Sequence, residues 1–169
     1  MLDLEAELDG VIAALTREGV EYAVCGGVAM AVHGFTRATE DLDLIVRPED
    51  VCRFADAVAE VGFMSDTTSR LAKVDRVDGD LLAIDLSLPA TEHVWRTRRV
   101  ITWNDRPLSL VSREGLIALK RLRATAQDLV DIERLKSGDG NVARSIRRVS
   151  QLRKLCLSLA RAASANPQK

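Results

Sequence analysis

Leu4, Leu8, Val11, Ile12 and Leu15 recur at helical spacing ahead of Gly19, so residues 3–18 are predicted as an amphipathic helix. Residues 20–25 are rich in β-formers and end at Gly26-Gly27, which reads as a strand running into a turn. A short helix from Val28 to His33, closed by Gly34, follows. Asp41-Leu-Asp-Leu-Ile-Val46 alternates polar and apolar positions before turning fully apolar, the pattern of a strand stopped at Arg47-Pro48. Pro48, with Glu49 and Asp50 behind it, opens a helix that extends to Glu60 and stops at Gly62.

In the middle of the chain, residues 70–76 and 81–88 are predicted as an antiparallel pair turning at Asp78-Gly79-Asp80. Residues 99–103 and 107–111 form a second pair, turning at Asn104-Asp105. Ser112 can cap a helix whose apolar side holds Leu116, Ile117, Leu119 and Leu122, and helical periodicity resumes from Asp128 to Leu135. Beyond the loop at Ser137-Gly-Asp-Gly140, Val142, Ile146, Val149, Leu152, Leu155, Cys156 and Leu159 mark one more amphipathic helix, followed by a polar tail. Helices and strands mixed in this order predict an α+β fold, a mixed sheet flanked by helices and followed by a C-terminal helical segment. The boundaries expected are a core over 1–111, helices packed on it over 112–163, and a flexible tail at 164–169.

Composition removes several classes. With 169 residues, 47% hydrophobic and 29% charged, the chain suits one soluble domain burying roughly 70% of its unfolded surface. No apolar run is long enough for a membrane span, and the acidic start is unlike a signal peptide, so a cytoplasmic protein without a membrane partner is expected. Cys25, Cys52 and Cys156 are far apart in apolar settings and read as buried small residues. The net charge of −1 hides a gradient: residues 1–50 carry 3 basic and 11 acidic side chains, whereas residues 101–169 carry 14 and 6. Such a split suits a cation-binding cluster at one end and a surface for phosphates at the other. The acids of the first helix, Asp3, Glu5, Glu7 and Asp9, read as a solvated face.

Asp41 and Asp43 stand two apart on a predicted strand, which puts both carboxylates on one face about 6–7 Å apart, with Leu42 and Leu44 on the other. Like charges that close call for a cation, and Mg²⁺ is commonly held by one or two carboxylates together with substrate phosphates. Alone, the pair would also serve as ordinary surface polarity. Gly26-Gly27 adds bare backbone N–H groups at the start of a helix, a place suited to phosphate and equally common for packing reasons. Asp85 interrupts the apolar run Leu81 to Leu88 on the face opposite Leu82, Ile84, Leu86 and Leu88. His33 and His93 lack ligand spacing, so His33 reads as structural, and Trp95 and Trp103 as packing residues.

Together these motifs resemble a known family. Gly26-Gly27, a gap spanning 28 to 40, and Asp41-Leu-Asp43-Leu are similar to the Gly-Gly/Ser and Asp-x-Asp pattern of DNA polymerase β-type nucleotidyltransferases. His33-Gly34-Phe-Thr-Arg37-Ala-Thr39, and Lys120 followed by Gln127-Asp128-Leu-Val-Asp131, resemble the small bacterial branch of AbiEii-type toxins. The resemblance implies the polymerase β-like fold and transfer of a nucleoside monophosphate from an NTP to an acceptor hydroxyl, with release of pyrophosphate. It implies two Mg²⁺ ions, or Mn²⁺ in their place, on Asp41 and Asp43. Asp85 would take the hydroxyl proton or share a metal. Gly26 and Gly27 would cradle the triphosphate, Lys120 would neutralise it, and Asp128 or Asp131 would orient Lys120 or the acceptor. Arg37 and Thr39 would meet the nucleotide or lie in a solvated loop. Gly27 departs from the frequent serine, so a hydroxyl contact to phosphate is lost and backbone N–H groups must suffice.

The acceptor expected from this resemblance is RNA such as tRNA, or a protein, with a cognate antitoxin as partner. From Arg144 to Lys169 the chain has seven basic residues and no acidic one, a surface suited to RNA, to an acidic protein, or to the acidic first helix. The alternatives are a silent nucleotide- or partner-binding module and an enzyme that modifies small molecules such as antibiotics.

Overall fold

The computed structural model describes residues 4–35, 39, 41–65, 70–73, 77–83, 87 and 89–137, with backbone alone at 65, 70–73 and 77–83. Arg37, Asp85, Cys156 and the basic segment from Arg144 lie outside the described residues.

Helix α1 (Leu4–Arg17) buries Leu8, Val11, Ile12, Ala14 and Leu15, the stripe expected from its periodicity. Gly19, at φ +62°, turns the chain into β1 (Tyr22–Val24), and α2 (Gly26–Val32) follows at once. Strand β2 (Leu44–Val46) pairs antiparallel with β1, with Val24 opposite Leu44. A 3₁₀ turn at Pro48–Asp50 leads into α3 (Val51–Ala59), which packs on α1 beside an ion pair between Arg17 and Glu60. Strands β3 (Phe63–Ser65), β4 (Arg70–Lys73) and β5 (Val77–Ala83) come next, and β5 runs parallel to β2. After α4 (Pro89–Arg96), strands β6 (Arg99–Trp103) and β7 (Arg106–Leu110) form a hairpin whose Asn104 and Asp105 both take positive φ, the two-residue turn expected there. Helices α5 (Arg113–Arg123) and α6 (Ala126–Ser137) close the described chain.

The sheet is mixed and seven-stranded, in the order β3-β4-β5-β2-β1-β7-β6. Its centre, β1 and β2, is wholly buried, as parallel neighbours on either side require: β7 runs parallel to β1 and β5 to β2. The expected α+β class is the class found. Among the described residues, no helix is long and apolar enough to cross a membrane.

Four local expectations change. Asp78, Gly79 and Asp80 do not form a turn; they lie within β5, where the ladder to β4 pairs Ala72 with Asp78 and Arg70 with Asp80. Pairing with β4 at these three positions, continued by pairing of Leu81 to Ala83 with β2, outweighs the weak strand propensity of Asp and Gly there. Leu122 is 64% exposed, and the position α5 buries instead is Lys120, for a reason given below. Cys52 is exposed near the start of α3, whereas Cys25 is buried as expected. The first helix is not merely solvated: Asp9 accepts from Trp103 Nε1 (3.1 Å) and Asn104 Nδ2 (3.0 Å), and Glu5 accepts from the same amide (2.9 Å). Those bonds fasten α1 to the β6–β7 turn.

Candidate active site

Strand β1 ends at Val24, and the next three residues build one wall of the site. Gly26 has φ +57°, a conformation that L side chains rarely adopt. A Cβ there would stand 1.5 Å from Asp43 Oδ2, so the position has no room for a side chain. The Gly27 N–H donates to the same oxygen at 3.3 Å, and the Cys25 N–H donates to the Asp43 carbonyl at 2.8 Å. The carboxylate of Asp43 is thereby held against the bare turn between β1 and α2. Ladder pairing begins only at Leu44, one residue after Asp43, so both acids lie at the mouth of β2 rather than inside it. The alternation still holds: Leu42 and Leu44 are buried, Asp43 is half-buried and Asp41 is exposed.

Thr39 is also part of this group. A Cβ on Gly27 would meet Thr39 Oγ1 at 2.5 Å and its Cβ at 2.6 Å, and the hydroxyl donates a long bond of 3.5 Å to the Asp41 carbonyl. Gly26, Gly27, Thr39, Asp41 and Asp43 therefore stand together. Two carboxylates at an open edge are hard oxygen donors of the kind Mg²⁺ takes alongside water and phosphate. The Gly26-Gly27 turn beside them gives the Asp43 and Thr39 side chains the space that Cβ atoms there would take. The chemistry of the donor set thus fits a divalent ion, although among the described residues no cluster of three His, Cys, Asp or Glu side chains could hold a metal.

Lys120, Asp128 and Asp131 form a second group, between α5 and α6. Lys120 is 5% exposed, and both aspartates are fully buried. Lys120 Nζ donates to Asp131 Oδ2 at 2.7 Å and to Asp128 Oδ1 at 3.3 Å. Arg123, which sequence reasoning passed over, grips Asp128 with Nε and Nη2, each at 2.8 Å. The Arg123 guanidinium, helped by Thr125 and Lys120 and opposed by burial, holds the Asp128 carboxyl well below the usual carboxylate range. Thr125 and Asp128 also cap α6 reciprocally: Thr125 N–H donates to Asp128 Oδ2 (3.2 Å), and Asp128 N–H donates to Thr125 Oγ1 (3.2 Å). The Thr-x-x-Asp spacing was the available signal. Gln127 Nε2 donates to Asp131 Oδ1 at 3.0 Å. The ammonium of Lys120 is directed at its two carboxylates.

His33, expected to be structural, caps α2 and donates from Nε2 to the Val111 carbonyl at 2.9 Å, and burial pushes its pKa below the ordinary histidine value. Trp95 and Trp103 are buried, with the guanidiniums of Arg98 and Arg47 4.3 and 5.3 Å from the centre of the Trp95 ring.

The model of the aminoglycoside-2''-adenylyltransferase family matches residues 7–93, just over half of the chain and the part that carries the glycine turn and both aspartates. The chain belongs to that family. It is a nucleotidyltransferase, and its fold is shared by solved structures of low identity. The antibiotic-resistance factor ANT(2'')-Ia matches with a TM-score of 0.60 and 14% identity over 96% of this chain and 98% of that one. The lincosamide antibiotic adenylyltransferase LnuA, solved with lincomycin bound, matches at 0.57 and 19% identity over 79% and 97%. An antigenic nucleotidyltransferase-like protein from Paracoccidioides brasiliensis matches at 0.54 and 18% identity over 99% and 95%. Comparison with curated protein sequences gives no match.

Proposed function

We propose that this member of the aminoglycoside-2''-adenylyltransferase family moves AMP from ATP to a hydroxyl of a small polycationic acceptor of the aminoglycoside kind. The observation that carries the reading is the Asp43 carboxylate held against Gly26 and Gly27, with Asp41 exposed beside it. Residues 1–50, with 11 acidic and 3 basic side chains, suit a cationic acceptor.

Asp41 and Asp43 would hold the divalent ion, whose chemistry is to neutralise the triphosphate and polarise the α-phosphoryl group. The glycine turn lets Asp43 and Thr39 approach the backbone closely, which sets both side chains at the site. The acceptor oxygen forms a bond to the α-phosphorus as the bond to the bridging oxygen breaks, and pyrophosphate leaves. The hydroxyl proton passes to a carboxylate, for which Asp85, outside the described residues, is the candidate from the resemblance. Lys120 would act through the packing of α5 on α6 rather than on phosphate.

A second reading has one observation behind it. Seven basic and no acidic residues from Arg144 to Lys169 suit an RNA acceptor or an acidic antitoxin, as in the AbiEii-type branch. One experiment separates the two: incubation with ATP labelled at the α-phosphate, Mg²⁺, and in parallel an aminoglycoside panel, lincomycin or total tRNA. A labelled aminoglycoside, lost with EDTA and in Asp43→Asn, is the expected result. Label on tRNA instead would favour the second reading, and no transfer to any acceptor would overturn the first.

A further inference from the structure

Residue 27 is glycine, and the chain itself fills the space that a side chain there would take. The point at which a Cβ on residue 27 would be built lies 2.5 Å from Thr39 Oγ1, 2.6 Å from its Cβ and 3.0 Å from its Cγ2. A serine hydroxyl would stand one bond beyond that point, so the Thr39 hydroxyl lies beside the position that such a hydroxyl would reach. Two side chains cannot occupy that space, and the chain has placed its one hydroxyl there from the segment ahead of β2 rather than from the turn. The local bonding leaves that hydroxyl available. Its bond to the Asp41 carbonyl is 3.5 Å, at the outer limit of a hydrogen bond, and Thr39 is only half-buried. The Gly27 N–H is directed to Asp43 Oδ2, so the turn's own backbone donor at this residue is engaged.

We infer that Thr39 is a nucleotide-positioning residue: its hydroxyl, seated in the space beside Gly27, donates to a phosphate oxygen of the bound NTP. The inference rests on the nucleotidyl-transfer reading above and deepens it. It makes residues 27 and 39 an interdependent pair, with room for one side chain at the glycine turn.

The test measures Mg–ATP affinity by titration and KM for ATP in the transfer assay, with melting temperature as the control. Thr39→Val keeps the shape and removes the hydroxyl. It should raise KM for ATP by about tenfold or more, the cost of one hydrogen bond to a charged group, with kcat and melting temperature little changed. Thr39→Ser should restore the wild-type KM. Gly27→Ser should lose affinity because its Cβ meets Thr39, and Gly27→Ser with Thr39→Gly should bind Mg–ATP better than Thr39→Gly alone. The inference is overturned, with the functional reading intact, if Thr39→Val keeps the wild-type KM while Asp43→Asn abolishes transfer. It is overturned likewise if the double variant binds no better than Thr39→Gly. If the wild type binds none of the four Mg–NTPs, the functional reading fails and the inference with it.

Discussion

Two groups of acids in this chain have opposite surroundings. Asp128 and Asp131 are fully buried, and a lysine, an arginine, a threonine and a glutamine donate to them. Asp41 and Asp43 lie at a sheet end beside the glycine turn, one exposed and one half-buried. Buried charge compensated within the fold contributes structure, whereas charge at an open edge next to glycine leaves room for an external partner. Lys120, which the resemblance assigned to phosphate, donates to both buried carboxylates and so links α5 to α6.

The largest effect should come from the open group. Asp43→Asn should lower transfer by roughly 10³-fold, since a bound divalent ion supplies several kcal/mol of charge stabilisation, and should leave the melting temperature near that of the wild type. Next, Lys120→Met should cost about 3–5 kcal/mol in urea unfolding by removing the buried cation shared by two buried carboxylates, with KM for ATP of the folded protein unchanged. A normal stability with a raised KM would return Lys120 to the nucleotide. Thr125→Ala, which removes half of the reciprocal cap on α6, should cost about 1 kcal/mol by the same unfolding measurement.

The smallest effect is one of pH. His33 has a folded-state pKa below its ordinary 6.5, so the unfolded chain binds its proton first as pH falls. The contribution of neutral His33 is complete above pH 6.5 and declines below it, toward the folded-state value. Stability measured from about pH 7 to pH 5 should fall less steeply in His33→Gln than in the wild type.

The sequence disclosed local features well. The glycine turn, the Asp-x-Asp spacing, the Asn104-Asp105 turn and the Ser112 cap, where Gly115 N–H donates to Ser112 Oγ at 3.1 Å, each depend on a few adjacent residues. Features set by distant partners were hidden. The bond from Trp103 to Asp9 joins residues 94 apart, and no helical pattern in α1 announces it. Asp78 to Asp80 read as a turn because their composition suits one, yet the ladder to β4 keeps them in a strand. Burial of Lys120 was obscured for a different reason: a charged residue on an apolar stripe is ordinarily exposed, and only its two partners on α6 reverse that. Thr125-x-x-Asp128 is legible as a cap, and Asp128 forms it while also accepting from Lys120, the residue that the resemblance has it orient.

Thermal melts of wild type, Asp43→Asn and Lys120→Met, each with ATP plus Mg²⁺ or ATP plus EDTA, test the division between the two groups most directly. The expected result is a rise in wild-type melting temperature with Mg–ATP alone, no rise in Asp43→Asn from an unchanged baseline, and a full rise in Lys120→Met from a lowered one. An Asp43→Asn protein stabilised by Mg–ATP as strongly as the wild type would contradict it.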